Sequence, residues 1–133
     1  MYSVTHKGTL IAAVGNVGDI KEGQYFYGDG SEMLQWGTML YDKGKVLQPH
    51  IHKRVNRQYK HPTQEFVYII EGSVEVTLYS RQKEIVMIQP LKAGDFICTY
   101  DGGHGYKILE NNTKMIEVKH GPFISVANDK IKF

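Results

Sequence analysis

The chain is poor in cysteine, with Cys98 alone among 133 residues. A single thiol excludes an intrachain disulfide, so a reducing compartment is the natural setting and a cytoplasmic protein is expected. Long hydrophobic runs are also missing. The N-terminal stretch TLIAAVG falls far short of the roughly 20 apolar residues that span a bilayer, and what precedes it lacks a signal-peptide layout. No membrane partner is expected. Charge of one sign is not in excess: 16 Lys and Arg stand against 14 Asp and Glu, a formal net charge of +2. That balance is too mild for a nucleic-acid footprint, and no aromatic stacking platform accompanies the basic residues. Sustained helical periodicity is absent, and with it any helix-turn-helix pattern. There is no Ser/Pro-rich linker and no break in composition, so residues 1–133 read as one domain.

Glycine and tyrosine are plentiful, with 14 and nine residues. The first suits many tight turns and the second suits strands. Apolar runs are short, rich in β-branched and aromatic residues, and bounded by Gly, Asn, Asp or Pro, as in an all-β sandwich or barrel. Strands are expected at 10–14, 25–27, 33–41, 45–52, 65–70, 73–79, 84–89, 95–100, 105–110 and 115–119. The Glu71-Gly72 pair between two apolar runs reads as a hairpin turn. The tail SVANDKIKF reads as a frayed end or an edge strand.

Chemistry concentrates in GKVLQPHIHKRVNRQYKHPTQEFVYIIEG, residues 44–72. Side chains two apart on a strand share a face, so His50 and His52 would project together. Alone, such a pair is as readily two surface histidines as two metal ligands. Two further residues change the balance. Glu65 opens the next strand and can supply a hard oxygen ligand. A Gly-rich turn in AGDFICTYDGGHGYKI delivers His104 to the start of another strand. Three imidazoles and a carboxylate leave two positions open on an octahedral ion.

This constellation resembles the cupin superfamily over roughly residues 30–120. The first cupin motif is matched at both ends, by Gly44, KVLQP and His50-Ile51-His52, and by Glu65, FVYIIE and Gly72. The second is matched in part, by Gly94, DFICT, Tyr100-Asp101-Gly102 and His104. Tyr100 stands where the family has proline, His104 arrives one residue early, and Ile108 stands where Asn is common. Residues 53–64 form a far longer insertion than the family's three or four residues. Glu65 is therefore assigned by its distance to Gly72, and Glu32, His61, Gln64 or Glu71 remain alternatives. The resemblance implies an antiparallel β-barrel, the jelly-roll or double-stranded β-helix. It also implies one divalent transition metal ion per chain (Fe, Mn, Ni, Co or Zn) held by His50, His52, Glu65 and His104. A small-molecule substrate follows, with oxygenase or isomerase/epimerase chemistry on an anionic or sugar-like compound. A non-catalytic binding or sensing barrel is the alternative. Cupins often pair through exposed strands, so a homodimer is expected, with TLIAAVG as a candidate strand.

The inserted loop carries Lys53, Arg54, Arg57 and Lys60. A run of cations is ordinarily a solvated face, yet directly after a metal ligand it can draw in an anion, with Arg contacting it bidentately. Arg54, Arg57 and Lys60 are accordingly read as substrate-binding residues. Tyr106, two residues past His104 on the same strand face, and His61 are the candidate proton carriers. Tyr25, Tyr27 and Trp36 are expected in the core, an interface or a pocket wall. Met39, Ile70 and Ile108 are read as core, and Cys98 as a buried, inert thiol.

Overall fold

The computed structural model describes residues 2–28, 30–53, 62–123 and 125–133. Two strands, β1 (Tyr2–His6) and β2 (Thr9–Val14), pair only with each other among the described residues. The remaining strands are β3 (Gly23–Tyr27), β4 (Leu34–Tyr41), β5 (Val46–His52), β6 (Glu65–Glu71), β7 (Ser73–Tyr79), β8 (Ile85–Lys92), β9 (Phe96–Thr99), β10 (Gly103–Ile108), β11 (Thr113–His120) and β12 (Lys130–Lys132). They form two five-stranded antiparallel sheets, ordered β12-β5-β10-β7-β8 and β3-β4-β11-β6-β9. A short helix, α1 (Val126–Asp129), leads into β12. The strands expected from the sequence are all present with ends shifted by a few residues; β1 is additional, and the tail forms the edge strand β12 that was one of its two readings.

The sheets pack face to face. Met39, Val67, Ile69 and Met115 from one meet Val74, Val76, Tyr106 and Ile108 from the other. Inward positions follow the two-residue period of a strand. In β11 the inward set runs Thr113, Met115, Glu117, Lys119, and in β6 it runs Glu65, Val67, Ile69. Both series, and His104–Tyr106–Ile108 in β10, are apolar at one end of the sandwich and ionisable at the other. The hydrophobic core therefore fills one half of the interior and leaves the other half for chemistry.

Three expectations are corrected. Glu71-Gly72 does not close a hairpin, because β6 and β7 belong to different sheets. Gly72 has a φ of +76° and sits so close to Thr113 that a Cβ would overlap it. Only glycine lets the chain turn this corner between sheets. Cys98 is exposed, not buried. Edge strand β9 turns Phe96 and Cys98 outward and its Ile97 toward the core. Ile70 is half-buried, and its neighbour Ile69 is the core residue, fully shielded from solvent.

Candidate metal centre

His50 and His52 lie at the end of β5, and His104 lies directly opposite His50 on β10. Close approach of these two strands depends on Gly105: a Cβ there would come within 2.8 Å of the Pro49 ring. Glu65 arrives from the facing sheet, at the start of β6. One ligand atom from each of the four residues falls within 4.8 Å of all the others. The imidazole centroids are 4.9 Å apart for His50–His52, 4.5 Å for His50–His104 and 5.6 Å for His52–His104. His52, Glu65 and His104 are each at least 95% shielded from solvent.

The carboxylate sits between the rings. Its Oε1 is 2.9 Å from His52 Nε2 and its Oε2 is 2.6 Å from His104 Nε2. Even so, His52 Nε2, His104 Nε2 and Glu65 Oε1 make no hydrogen bond of acceptable geometry among the described residues. These donor atoms crowd within 4.8 Å of one another. Buried polar atoms are almost always satisfied, and a convergent set that is not fits a missing cation. Nitrogen and oxygen donors in this number suit a divalent transition metal.

Electrostatics act differently on the donors. Burial, reinforced by the neighbouring His104 and Lys130, pushes His50 down to about 3, so its ring is neutral. Its Nδ1 faces the Gln48 carbonyl oxygen at 3.3 Å, leaving Nε2 as an acceptor. For His52, burial opposes protonation, but the Asp129 and Glu65 carboxylates outweigh it and raise the pKa. Glu65 is held well below the usual carboxylate range, because the His104 and His52 rings outweigh its own burial.

Asp129 was not foreseen. Its Oδ2 lies 2.9 Å from His52 Nδ1, and its Oδ1 accepts a hydrogen bond from Thr63 Oγ1 at 2.8 Å. A carboxylate behind a ligand histidine fixes the ring's tautomer and orientation and makes the other nitrogen a better donor. The C-terminal tail supplies it: of the two readings, frayed end or edge strand, the second holds, because β12 pairs with β5 across Lys130–His52, Ile131–Ile51 and Lys132–His50.

Beside the four donors lies a cavity of about 280 Å³ whose walls include Gln24, His50, Glu65, Tyr106, Glu117 and Lys130. Tyr106 is buried, and its hydroxyl has no hydrogen-bond partner among the described residues. Glu117 is pushed up to about 7, first by burial and then by the Glu65 charge. Tyr25, Tyr27 and Trp36 lie elsewhere, in a groove of about 990 Å³ bordered also by residues of β1 and β2. His120 is not in the cluster; its Nδ1 accepts from the Gln64 backbone at 3.3 Å. His61, Arg54, Arg57 and Lys60 fall outside the described residues. Of the alternatives to Glu65, Glu32 and Glu71 are not part of the cluster.

No family model and no curated protein matches the sequence. Solved structures do. KdgF from a Halomonas species is 22% identical, with 73% of this chain and 76% of that one covered and a TM-score of 0.56. Oxalate decarboxylase from Bacillus subtilis is 21% identical with a TM-score of 0.63; 92% of this chain is covered but only 33% of the decarboxylase. A double-stranded β-helix protein from Klebsiella pneumoniae is 12% identical, with 92% and 97% covered and a TM-score of 0.65. This chain thus spans about a third of the decarboxylase. The fold is the double-stranded β-helix that these structures share, and the four clustered side chains could hold a divalent metal ion. Among the described residues no helix is long and apolar enough to cross a membrane.

Proposed function

We propose that the protein is a metal-dependent enzyme acting on a small anionic or sugar-like substrate, by isomerisation, epimerisation or oxygenation. One observation carries the reading: four donor side chains from two sheets converge within 4.8 Å, with buried lone pairs that make no hydrogen bond among the described residues. His50, His52, Glu65 and His104 would hold the ion. Such an ion, when bound, polarises a carbonyl or enediol, or organises dioxygen. Tyr106 is the proton carrier in this reading, since it lines the same cavity and its hydroxyl makes no hydrogen bond among the described residues. Arg54, Arg57, Lys60 and His61 keep their proposed roles in substrate binding and proton transfer on sequence grounds. The single, exposed thiol suits a reducing, cytoplasmic setting.

A homodimer belongs to the same proposal. A two-stranded hairpin is marginal on its own in water. Among the described residues the β1–β2 hairpin has no other sheet neighbour, and it exposes Tyr2, Val4, Ile11 and Val14. A second copy of the chain covers it in this reading. Sedimentation equilibrium tests this, and a monomer at micromolar concentration rejects it.

The metal assignment is tested by plasma mass spectrometry on untagged protein purified without chelator, beside His50→Ala, Glu65→Ala and His104→Ala variants checked by circular dichroism. About one metal per chain, lost in the folded variants, is the expected result. No metal after reconstitution with Fe(II), Mn(II), Ni(II) and Zn(II) overturns the metalloenzyme reading.

A further inference from the structure

The two sheets differ on their outer faces. An antiparallel sheet ordinarily turns apolar side chains to the core and polar ones to water. The β12-β5-β10-β7-β8 sheet follows that order in its centre. Ser73, Glu75 and Thr77 of β7 and Lys107 of β10 alternate with the core residues Val74, Val76, Tyr106 and Ile108. The β3-β4-β11-β6-β9 sheet does not. Cross-strand register lines up two rows on its outer face. One runs Tyr25, Thr38, Ile116, Tyr68, Phe96 and the other Tyr27, Trp36, Val118, Phe66, Cys98, each with one residue from every strand. Neither row holds a charge. In β11 the usual order is reversed: Glu117 and Lys119 point inward, while Ile116 and Val118 point outward.

Single apolar residues on a surface are ordinary, but a contiguous patch of several hundred Å² marks a contact site. Tyr25, Phe66, Tyr68 and Phe96 are 38–64% exposed. At the size of aromatic side chains, these four alone present roughly 350 Å². The face offers little to a polar ligand, since the Thr38 hydroxyl already meets the Tyr27 hydroxyl at 2.9 Å. The β1–β2 hairpin extends the patch. The groove of about 990 Å³ is lined by Tyr2 and Ile11 of the hairpin together with Tyr25, Tyr27, Leu34 and Trp36 of the face. Tyr2, Ile11 and Leu34 are each more than 60% exposed. Sheet and hairpin together approach the area that a stable interface buries on each partner, about 800 Å².

The absence of charge points to the occupant. A two-fold axis sets such a face against the same face of another copy, and here no like charges meet. A partner of another kind takes its register and specificity from complementary charge, and these rows carry none. We propose that the outer face of the β3-β4-β11-β6-β9 sheet is the contact between two copies of this chain, packed back to back, and that the second copy fills the groove beside the hairpin. This rests on the homodimer reading above and names its contact face; it does not require that the four donors hold a metal.

The test is sedimentation equilibrium of the wild type beside Tyr68→Glu and Phe96→Glu, which put a charge on this face, and Ile88→Glu, which puts one on exposed β8 of the other sheet. The wild type is expected to be a dimer at micromolar concentration. Tyr68→Glu should raise its dissociation constant about 100-fold or more and Phe96→Glu, on the edge strand, about ten-fold, because each withdraws an unpaired carboxylate from water. Ile88→Glu should leave it unchanged. Cys98, the only thiol of the chain, stands in the second row and gives an independent reading. It should react with a chromogenic disulfide reagent about ten-fold more slowly above the dissociation constant than on dilution below it. A dimer that both face variants leave intact, one that Ile88→Glu dissociates instead, or a thiol rate unchanged by dilution would overturn this inference while the homodimer reading stood. A monomeric wild type would overturn both. Should Tyr68→Glu not fold by circular dichroism, Phe96→Glu and the thiol rates still decide.

Discussion

Removing the Asp129 carboxylate tests how the tail supports the proposed metal centre. In Asp129→Ala the His52 Nδ1 loses its partner at 2.9 Å and Thr63 Oγ1 loses an acceptor at 2.8 Å. Two consequences separate. The ring can rotate or change tautomer, and loss of a carboxylate behind a ligand histidine lowers metal affinity about 10- to 100-fold, roughly 1.4–2.8 kcal/mol. Loss of the two buried hydrogen bonds costs about 1–3 kcal/mol of stability in addition. Asp129→Asn divides the effects further. Its carbonyl oxygen still accepts from the ring, so orientation survives while the charge is lost, and the affinity loss should be smaller than in the alanine variant. The assay is competition of Zn(II) against a chromophoric chelator, with Co(II) absorption reporting coordination geometry. Folded Asp129→Ala that binds Zn(II) as tightly as wild type, with an unchanged Co(II) spectrum, would refute the positioning role.

Other perturbations follow from the packing. Gly105→Ala forces a methyl against Pro49 and should separate β10 from β5, costing about 1–3 kcal/mol in denaturant melts. Unlike an equally destabilising core change, it should also weaken metal binding, because His50 and His104 lie across that contact. Ile69→Ala, wholly buried in the core half, should cost about 2–5 kcal/mol and leave metal content per folded chain unchanged. Tyr106→Phe removes a buried hydroxyl without a described partner, so thermal unfolding should show little loss or a gain in stability. If Tyr106 carries the proton, turnover of any substrate found falls about 10²- to 10⁴-fold, and an unchanged kcat rejects that role.

The sequence made the site more readable than its support. Glu65 could be chosen across a long insertion because spacing to Gly72 is set within one strand, where geometry is local. His50, His52 and His104 were legible for the same reason: each sits at a strand end marked by Gly-rich or polar punctuation. Asp129 was not, because it reaches His52 through β12, a strand of three residues too short to show alternation. The Glu71-Gly72 turn misled because a two-residue glycine turn looks alike whether the chain folds back in one sheet or crosses to another; Thr113, distant in sequence, decides. Cys98 misled because Phe96, Ile97 and Cys98 are all apolar, and a continuous apolar run does not say which face is inward.

The division of the four donors between sheets has a mechanical meaning. His50, His52 and His104 ride on one sheet and Glu65 on the other, so an ion held by all four ties the two layers together at the end where the hydrophobic core gives out. In a chain with one cysteine, that tie would do what a cross-link does elsewhere: it would resist opening of the sandwich from its polar mouth. It would also be reversible, since ion at 100 times its dissociation constant adds about 2.7 kcal/mol to the folded state and a chelator withdraws it. The ionisable half of the interior would then gain its rigidity from what it binds, and the apolar half from how it packs.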